Sequence, residues 1–286
     1  GPMHLAAAMG TQVIDVSLGS ATAYETAPYG EGHIVVEPRM NCYPCQSRFK
    51  CSHVSCHDQL SANTVFQLAA NCLEDKLATS GIPHSKFDQV RIYQTGFDPD
   101  GWEELIPLTR DTISMNELSK LALREMWKKA LGGKPAWHPN YLNSAISTGA
   151  RVSERYIRPK KSSLDLEPFG LSELSRIAEL GSQAAIQLSE ISNPGSDLEI
   201  VSKFGGLFKE LDSTIARLAF GHPEISPLVS QFTYSKDTLG GSNLTELAKD
   251  TGELYQKLAD WSKAVEPWMN GIIDGIYHSE SAEVAA

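Results

Sequence analysis

In the last third of the chain, Leu244, Leu247, Thr251, Leu254, Leu258, Trp261 and Val265 follow one another in alternating steps of three and four residues. That is the seam spacing of packed helices, in which one face of each helix carries the apolar side chains. Val201, Phe204, Phe208, Leu211, Ile215 and Leu218 repeat it behind Ser196-x-x-Glu199, which has the form of a capping box. A weaker version runs from Leu171 to Ile191. Three amphipathic helices bury their stripes most simply against one another, so a small α-helical bundle is expected over residues 169–278, in preference to three independent partner helices. A bundle of this kind could also join copies of the chain into a homo-oligomer. Most of the excess acid lies in this region and reads as a solvated outer face. Residues 279–286 are expected to be a disordered tail.

The front of the chain has a different rhythm. Pro2 suits the first position of a helix and Gly10 its stop. Thr11 to Leu18 reads as a buried strand through Val13, Ile14 and Val16, and His33 to Glu37 as another; His33 is expected to pin the loop before it. Helical spacing returns from Ser61 to Leu77, with Val65, Leu68 and Cys72 on one side. Alternating helices and short apolar strands imply an α/β layer with a parallel sheet over residues 1–88. The extension 89–133 reads as two strands, Val90 to Gln94 and Glu103 to Leu108, around the turn Asp98-Pro99-Asp100-Gly101. A helix then opens at the capping box Ser114-x-x-Glu117 and closes at Gly132-Gly133. Residues 134–168 show little periodicity, carry the basic run Arg158-Pro159-Lys160-Lys161, and read as a linker.

Composition narrows the function classes. A net charge of -10 argues against a nucleic-acid surface, because that affinity rests on Lys and Arg neutralising phosphates. No stretch approaches the roughly 20 consecutive apolar residues of a membrane-spanning helix, and the chain reads as soluble. The five Trp residues are spread too widely to form a recognisable sugar-stacking platform and read as core or interface residues.

Four of the five Cys fall within one short stretch, Cys42-x2-Cys45-x5-Cys51-x4-Cys56, with His53 and His57 as substitutes nearby; Cys72 stands apart as a small core residue. Four thiolates can close a tetrahedral structural site for zinc, or for iron in a rubredoxin-like arrangement. Disulfides and unbridged thiols are the alternatives, disulfides being disfavoured in a reducing compartment. Any such metal would be structural, since four protein ligands leave no open position for water.

Four segments, in order, carry a resemblance. Gly1-Pro2-Met3-His4-Leu5-Ala6-Ala7-Ala8-Met9-Gly10-Thr11 is followed by Pro28-Tyr29-Gly30-Glu31-Gly32-His33, by the cysteine-rich stretch from Asn41 to His57, and by Leu60-Ser61-Ala62-Asn63-Thr64-Val65. Together they resemble the carboxy-terminal part of family nine glycosyltransferases, the ADP-heptose:lipopolysaccharide heptosyltransferase type. The resemblance covers roughly residues 1–77. It implies a truncated Rossmann-like lobe of a GT-B enzyme, here followed by the helical bundle. It also implies inverting transfer of a heptose-like sugar from a nucleotide diphosphate donor to a cell-envelope glycan or surface protein, without a catalytic metal. The expected location is cytoplasmic, peripheral to the inner membrane. By resemblance Gly1, Pro2, Met3 and His4 bind the donor, and His4 stabilises charge on the departing nucleoside diphosphate. The general base belongs to an amino-terminal lobe upstream of Gly1, so the chain is expected to be a fragment inactive alone; Gly1-Pro2 as the scar of a removed tag is the other reading of this start. Two departures, Asp15 in a strand usually wholly apolar and a longer Leu18-Gly19-Ser20 turn, put the donor's identity in doubt. A function of another class competes: a metal-stabilised binding or scaffold module whose bundle recruits a partner.

Overall fold

The computed structural model describes residues 1–40, 42–45, 51, 53–74, 87–109, 111–160, 170–191, 198–241 and 243–278. The expected tail, the cap Ser196 and the end of the linker lie outside these residues. The chain divides into two compact units, one of residues 1–112 with 155–157 and one of residues 113–154 with 158–286.

The first unit is a mixed α/β layer. Helix α1 (Pro2–Ala8) leads to strand β1 (Ile14–Val16), helix α2 (Ala23–Thr26) and strand β2 (Ile34–Pro38). Two further helices, α3 (Ser55–Gln59) and α4 (Ala62–Leu73), precede strands β3 (Val90–Phe97) and β4 (Glu103–Pro107). The sheet order is β1-β2-β3-β4. Only β1 and β2 are parallel, in the register Ile14 to Ile34, whereas β2–β3 and β3–β4 are antiparallel. The expected parallel sheet is therefore a mixed one, because the chain returns from β3 to β4 through a tight hairpin that only antiparallel neighbours allow. In that hairpin the Asp98 carboxylate accepts the N–H groups of Asp100 and Trp102, both at 2.9 Å, and Gly101 takes φ +80°.

Period-two alternation sorts β2 between two faces. Ile34 and Val36 join Ile92, Val90, Phe87 and Leu68 of α4 in one core, which Cys72 flanks. Val35 faces the other way with Tyr93 and Ala23 of α2. Strand β1 differs from the buried strand expected: Ile14 and Asp15 are half-buried and Val16 is exposed. It lies at the sheet edge with one neighbour, and an edge tolerates the Asp15 charge that a central strand would not. Ser61 caps α4 by accepting the Thr64 N–H at 3.1 Å. Residues 155–157 close the unit: Arg155 pairs with Glu104 at 2.8 Å and Ile157 bridges Thr112.

The second unit is helical. It contains α5 (Met115–Leu131), α6 (Leu142–Arg155, its last residue belonging to the first unit), α7 (Leu171–Ile191), α8 (Leu198–Gly221), α9 (Ser226–Asp237) and α10 (Leu244–His278). Ser114 caps α5 through the Glu117 N–H, as its sequence signature predicts. Two segments depart from expectation. Residues 142–155, inside the stretch read as a linker, form α6, whose buried positions are the small or short Ala145, Thr148, Gly149 and Val152 and give little apolar signal. Helix α9, also unanticipated, buries only Leu228, Val229 and Phe232 between polar residues.

The seam of α10 also differs from the leucine stripe. Thr251, Leu258 and Val265 are buried, but Leu247 is exposed, and the face is completed by Ala248, Gly252, Tyr255, Ala259, Ser262, Met269, Ile272 and Ile276. Small residues prevail because neighbouring helices approach closely. A side chain at Gly181 of α7 would collide with the Tyr255 ring, one at Gly149 of α6 with the Ile272 carbonyl, and one at Gly275 with the Ile146 carbonyl. Trp268 is fully buried, stacks on Tyr141, meets Trp137 edge-on and donates to the Ala136 carbonyl at 2.8 Å, so two of the dispersed tryptophans share one cluster.

Gly149→Ala and Gly275→Ala are expected to destabilise this unit by about 1–3 kcal/mol, the usual cost of overpacking a filled site. Gly205→Ala in α8, where the added methyl meets nothing within 4 Å, should instead stabilise it by about 0.5–1 kcal/mol. Urea unfolding followed by circular dichroism checks both signs.

Candidate functional site

In open α/β sheets ligands gather beyond the carboxyl ends of parallel strands. Here that edge belongs to β1 and β2, and it is polar. β1 runs out into Ser17, whose hydroxyl donates to Asp15 at 2.8 Å, and then into the Leu18-Gly19-Ser20 turn, where Gly19 takes φ +65°. Near the end of β2 lies Glu37, only 2% exposed. Its carboxylate accepts the Ala23 N–H at 2.6 Å. Ala23 opens α2, whose N-cap Thr22 makes no side-chain cap, so a buried carboxylate from another element satisfies the helix start.

Tyr43 completes the arrangement. Its hydroxyl donates to the Ala21 carbonyl at 2.5 Å and stands 3.1 Å from the same Glu37 oxygen. Burial, followed by the Glu37 charge, pushes the phenol far above its ordinary value. Tyr43 sits inside the first Cys-x-x-Cys pair, so the pair is tied to the strand edge; the Cys45 N–H adds a bond of 2.8 Å to the Gly19 carbonyl.

The cysteines follow from this anchoring. Cys42 and Cys51 are exposed, Cys45 is half-buried and Cys56, on α3, is buried. Burial first, then the charges that Cys56, Cys42 and Cys51 would carry, raise the Cys45 thiol. Cys51 moves the other way: the backbone N–H groups of His53 and Val54 bond to its sulfur and lower it, that of Val54 at 3.3 Å. Val54 achieves this with φ +42°, a left-handed conformation that a β-branched residue rarely adopts. His53 is occupied locally, its Nδ1 lying 3.0 Å from the Ser55 hydroxyl and 3.4 Å from the Ser55 N–H. Among the described residues, all four of these cysteines included, no three His, Cys, Asp or Glu side chains form a group that could hold a metal ion.

The donor residues expected from the sequence lie elsewhere in this unit. Gly1 caps α1 without a side-chain bond, Pro2 occupies the first turn and supplies no N–H, and Met3 and His4 supply the free amide donors of a helix start. Gly1, Pro2 and His4 are exposed and Met3 is half-buried; α1 buries no residue. Among the described residues none of the four bonds to the cysteine loop. His33 is structural, as its position suggests: its Nδ1 accepts the Val13 N–H at 3.3 Å while its own N–H donates to the Thr95 hydroxyl. Neither Glu37 nor Tyr43 is expected at a site from the sequence: Glu37 reads only as the end of a strand, and Tyr43 is given no role of its own. A lone Glu closing an apolar strand was the available signal.

Compared with protein-family models, with curated proteins and with solved structures, the chain gives no match. Among the described residues no helix is long and apolar enough to cross a membrane.

Because the folded chain raises the Tyr43 phenol, the neutral form is the one folding favours. Its contribution is complete below the ordinary phenol value of about 10 and is lost as pH rises beyond it. Tyr43→Phe is expected to cost about 0.5–1.5 kcal/mol at neutral pH through the lost hydrogen bond, and to flatten the alkaline fall in stability. Denaturant midpoints of parent and variant measured from neutral pH to beyond the phenol range check both effects.

Proposed function

We propose that residues 1–77 belong to the donor-binding, Rossmann-like lobe of an inverting GT-B glycosyltransferase of the heptosyltransferase type. The substrate class is a nucleotide diphosphate sugar, ADP-heptose or a related donor, and the acceptor a cell-envelope glycan or surface protein. The observation that carries this reading is an agreement of order. The four resembling segments coincide with α1, the loop before β2, the cysteine loop and the start of α4, and β1 and β2 are parallel neighbours between them. A parallel pair flanked by helices is what a nucleotide-binding lobe of this kind requires.

The chemistry rests on charge. A helix start attracts anions through unpaired N–H groups and a partial positive charge. Dipole attraction of about 0.3–2 kcal/mol does not hold a diphosphate alone. Charge-assisted hydrogen bonds of about 1.5–3 kcal/mol each, from the Met3 and His4 amides, supply more, and Gly1 lets the backbone approach. His4 is assigned to stabilise charge on the departing nucleoside diphosphate. The general base would come from the facing acceptor lobe, because transfer needs both substrates aligned across a cleft.

A second reading is favoured by one observation: the helical bundle is a compact unit of its own and the larger part of the chain. On that reading the sheet is scaffold and the bundle recruits a partner. ADP discriminates the two, since a ligand stabilises only the state that binds it, by about 2.7 kcal/mol at 100 times its Kd. On the transferase reading ADP raises the melting temperature more than AMP, and His4→Ala reduces the gain. No shift with ADP at millimolar concentration rejects that reading.

A further inference from the structure

We propose that the groove between helices α7 and α8 binds the same groove of a second copy of the chain, so that the protein is a homodimer joined through its helical unit. The inference does not rest on sugar transfer.

Helix α8 carries two apolar lines. Val201, Phe204, Phe208, Leu211, Ile215 and Leu218 advance in steps of three and four, and so do Ile200, Phe204, Leu207, Leu211, Thr214 and Leu218. A second set at this spacing marks a second line of helix contact, turned partly around the same cylinder. On α7 the corresponding line is Ile177, Leu180, Ala184, Gln187 and Ile191. The first line of α8 is used within the chain, where Phe208 stacks on Tyr255 of α10 and Ile215 is buried. The outer positions of the second are open: Leu180 and Ile191 are each 44% exposed, Ile200 and Leu207 each 40%. Among the described residues of α8 only Ile215 and Ala219 are buried, so its amino-terminal half contributes none.

The two open lines meet. A side chain on Gly170, just before α7, would collide with Leu218 near the end of α8, and six residues join the end of α7 to the start of α8, so the helices are antiparallel neighbours. The face of α7 toward α10 is that of Gly181 and Ala185, which approach Tyr255 and Gly252. The face of α8 toward α10 is that of Phe208 and Asp212, both on Tyr255. By helical rotation Leu180 and Ile191 on one helix, and Ile200 and Leu207 on the other, lie on the flanks turned away from α10. Neighbouring helices that both do this place the four side chains along one apolar groove.

The rim of the groove selects the occupant. Glu173, Glu199 and Glu210 stand there with equally many cations, Arg176, Lys203 and Arg217, all exposed. Glu173 pairs with Arg176 at 2.6 Å and Glu199 with Lys203 at 2.9 Å. The rim is therefore neutral in a chain whose net charge is -10. Acidic copies repel one another over most of their surface, and this face lets them approach without that repulsion. A strongly basic or strongly acidic partner finds no field here to match. A rim with both signs is self-complementary, since a two-fold axis allows the acids of one copy to meet the bases of the other. Two antiparallel pairs joined through such lines form the layered core of a four-helix bundle.

Sedimentation of the whole chain over a range of concentrations tests this. The expected limiting mass is that of two chains, falling toward one on dilution. Leu180→Glu with Leu207→Glu puts charge into the shared core and should abolish the dimer while the helical circular dichroism is kept. Leu131→Glu, at an exposed leucine outside α7 and α8, should leave it intact. Ile191→Gln with Ile200→Gln, a milder change, should weaken the dimer in the same direction and decides the matter should the glutamates upset folding. A single chain at every concentration, a limiting mass above two chains, or a dimer indifferent to both double variants overturns the proposal. Nucleotide is left out of the samples, so the result stands apart from ADP binding.

Discussion

At the carboxyl edge of the parallel pair, everything is arranged around the buried carboxylate of Glu37. Water would solvate such a group far better than an apolar core does, and only hydrogen bonds received in place offset that loss. Glu37 receives them from the start of α2 and has the Tyr43 hydroxyl beside it. The consequence reaches beyond its own strand. Helix α2 has four residues and no side-chain cap, too short to persist on its own. With the carboxylate at its start it becomes a fixed floor for the Val35 and Tyr93 face of the sheet. The same carboxylate holds the entrance to the cysteine loop through Tyr43. One acidic side chain thus links strand end, helix start and loop.

The helical unit works by a different principle. Its closest contacts are made where side chains are missing, at Gly149, Gly181, Gly252, Gly271 and Gly275. Short distances between helix axes increase dispersion contacts along the whole crossing, and a single added methyl interrupts them. Buried charges of this unit enter with partners, whereas the buried Ser175 hydroxyl has none. Glu125 is buried between Lys128 at 3.2 Å and Arg124 at 3.1 Å. Asp212 accepts from Tyr255 at 2.6 Å and pairs with Lys236, whose ammonium also lies over the Phe208, Phe232 and Tyr255 rings. Pairs of this sort add little net stability over apolar residues, but removing one member leaves a stranded charge.

The contrast between the units explains what could be read from the sequence. Local signals were legible where a single residue type is demanded: the caps Ser61 and Ser114, the Asp98 turn and the apolar runs of β2 and β3. The β3–β4 hairpin was expected for this reason. Signals failed where the partner, rather than the residue, decides. Ala145, Thr148 and Gly149 look like linker until the surface they press against is known, and the leucine stripe of α10 lies beside the true seam because its neighbours demand small residues. Edge position likewise cannot be read from β1, since Ile14, Asp15 and Val16 fit either a central strand with a flaw or an edge strand without one. Of the candidate site, the cysteines were legible by type and spacing; Glu37 and Tyr43 were not, because their roles come from residues 14 and 22 positions away.

The cysteine loop and the strand edge divide the chemistry between them. Oxygen ligands, Asp15, Ser17 and Glu37, are satisfied within the protein at or near the carboxyl ends of β1 and β2. The sulfurs lie just beyond, on a loop with a buried foot at Cys56 and exposed members at Cys42 and Cys51. Hard oxygens and soft sulfurs select different ions, and here the oxygens are already engaged with backbone and hydroxyl groups.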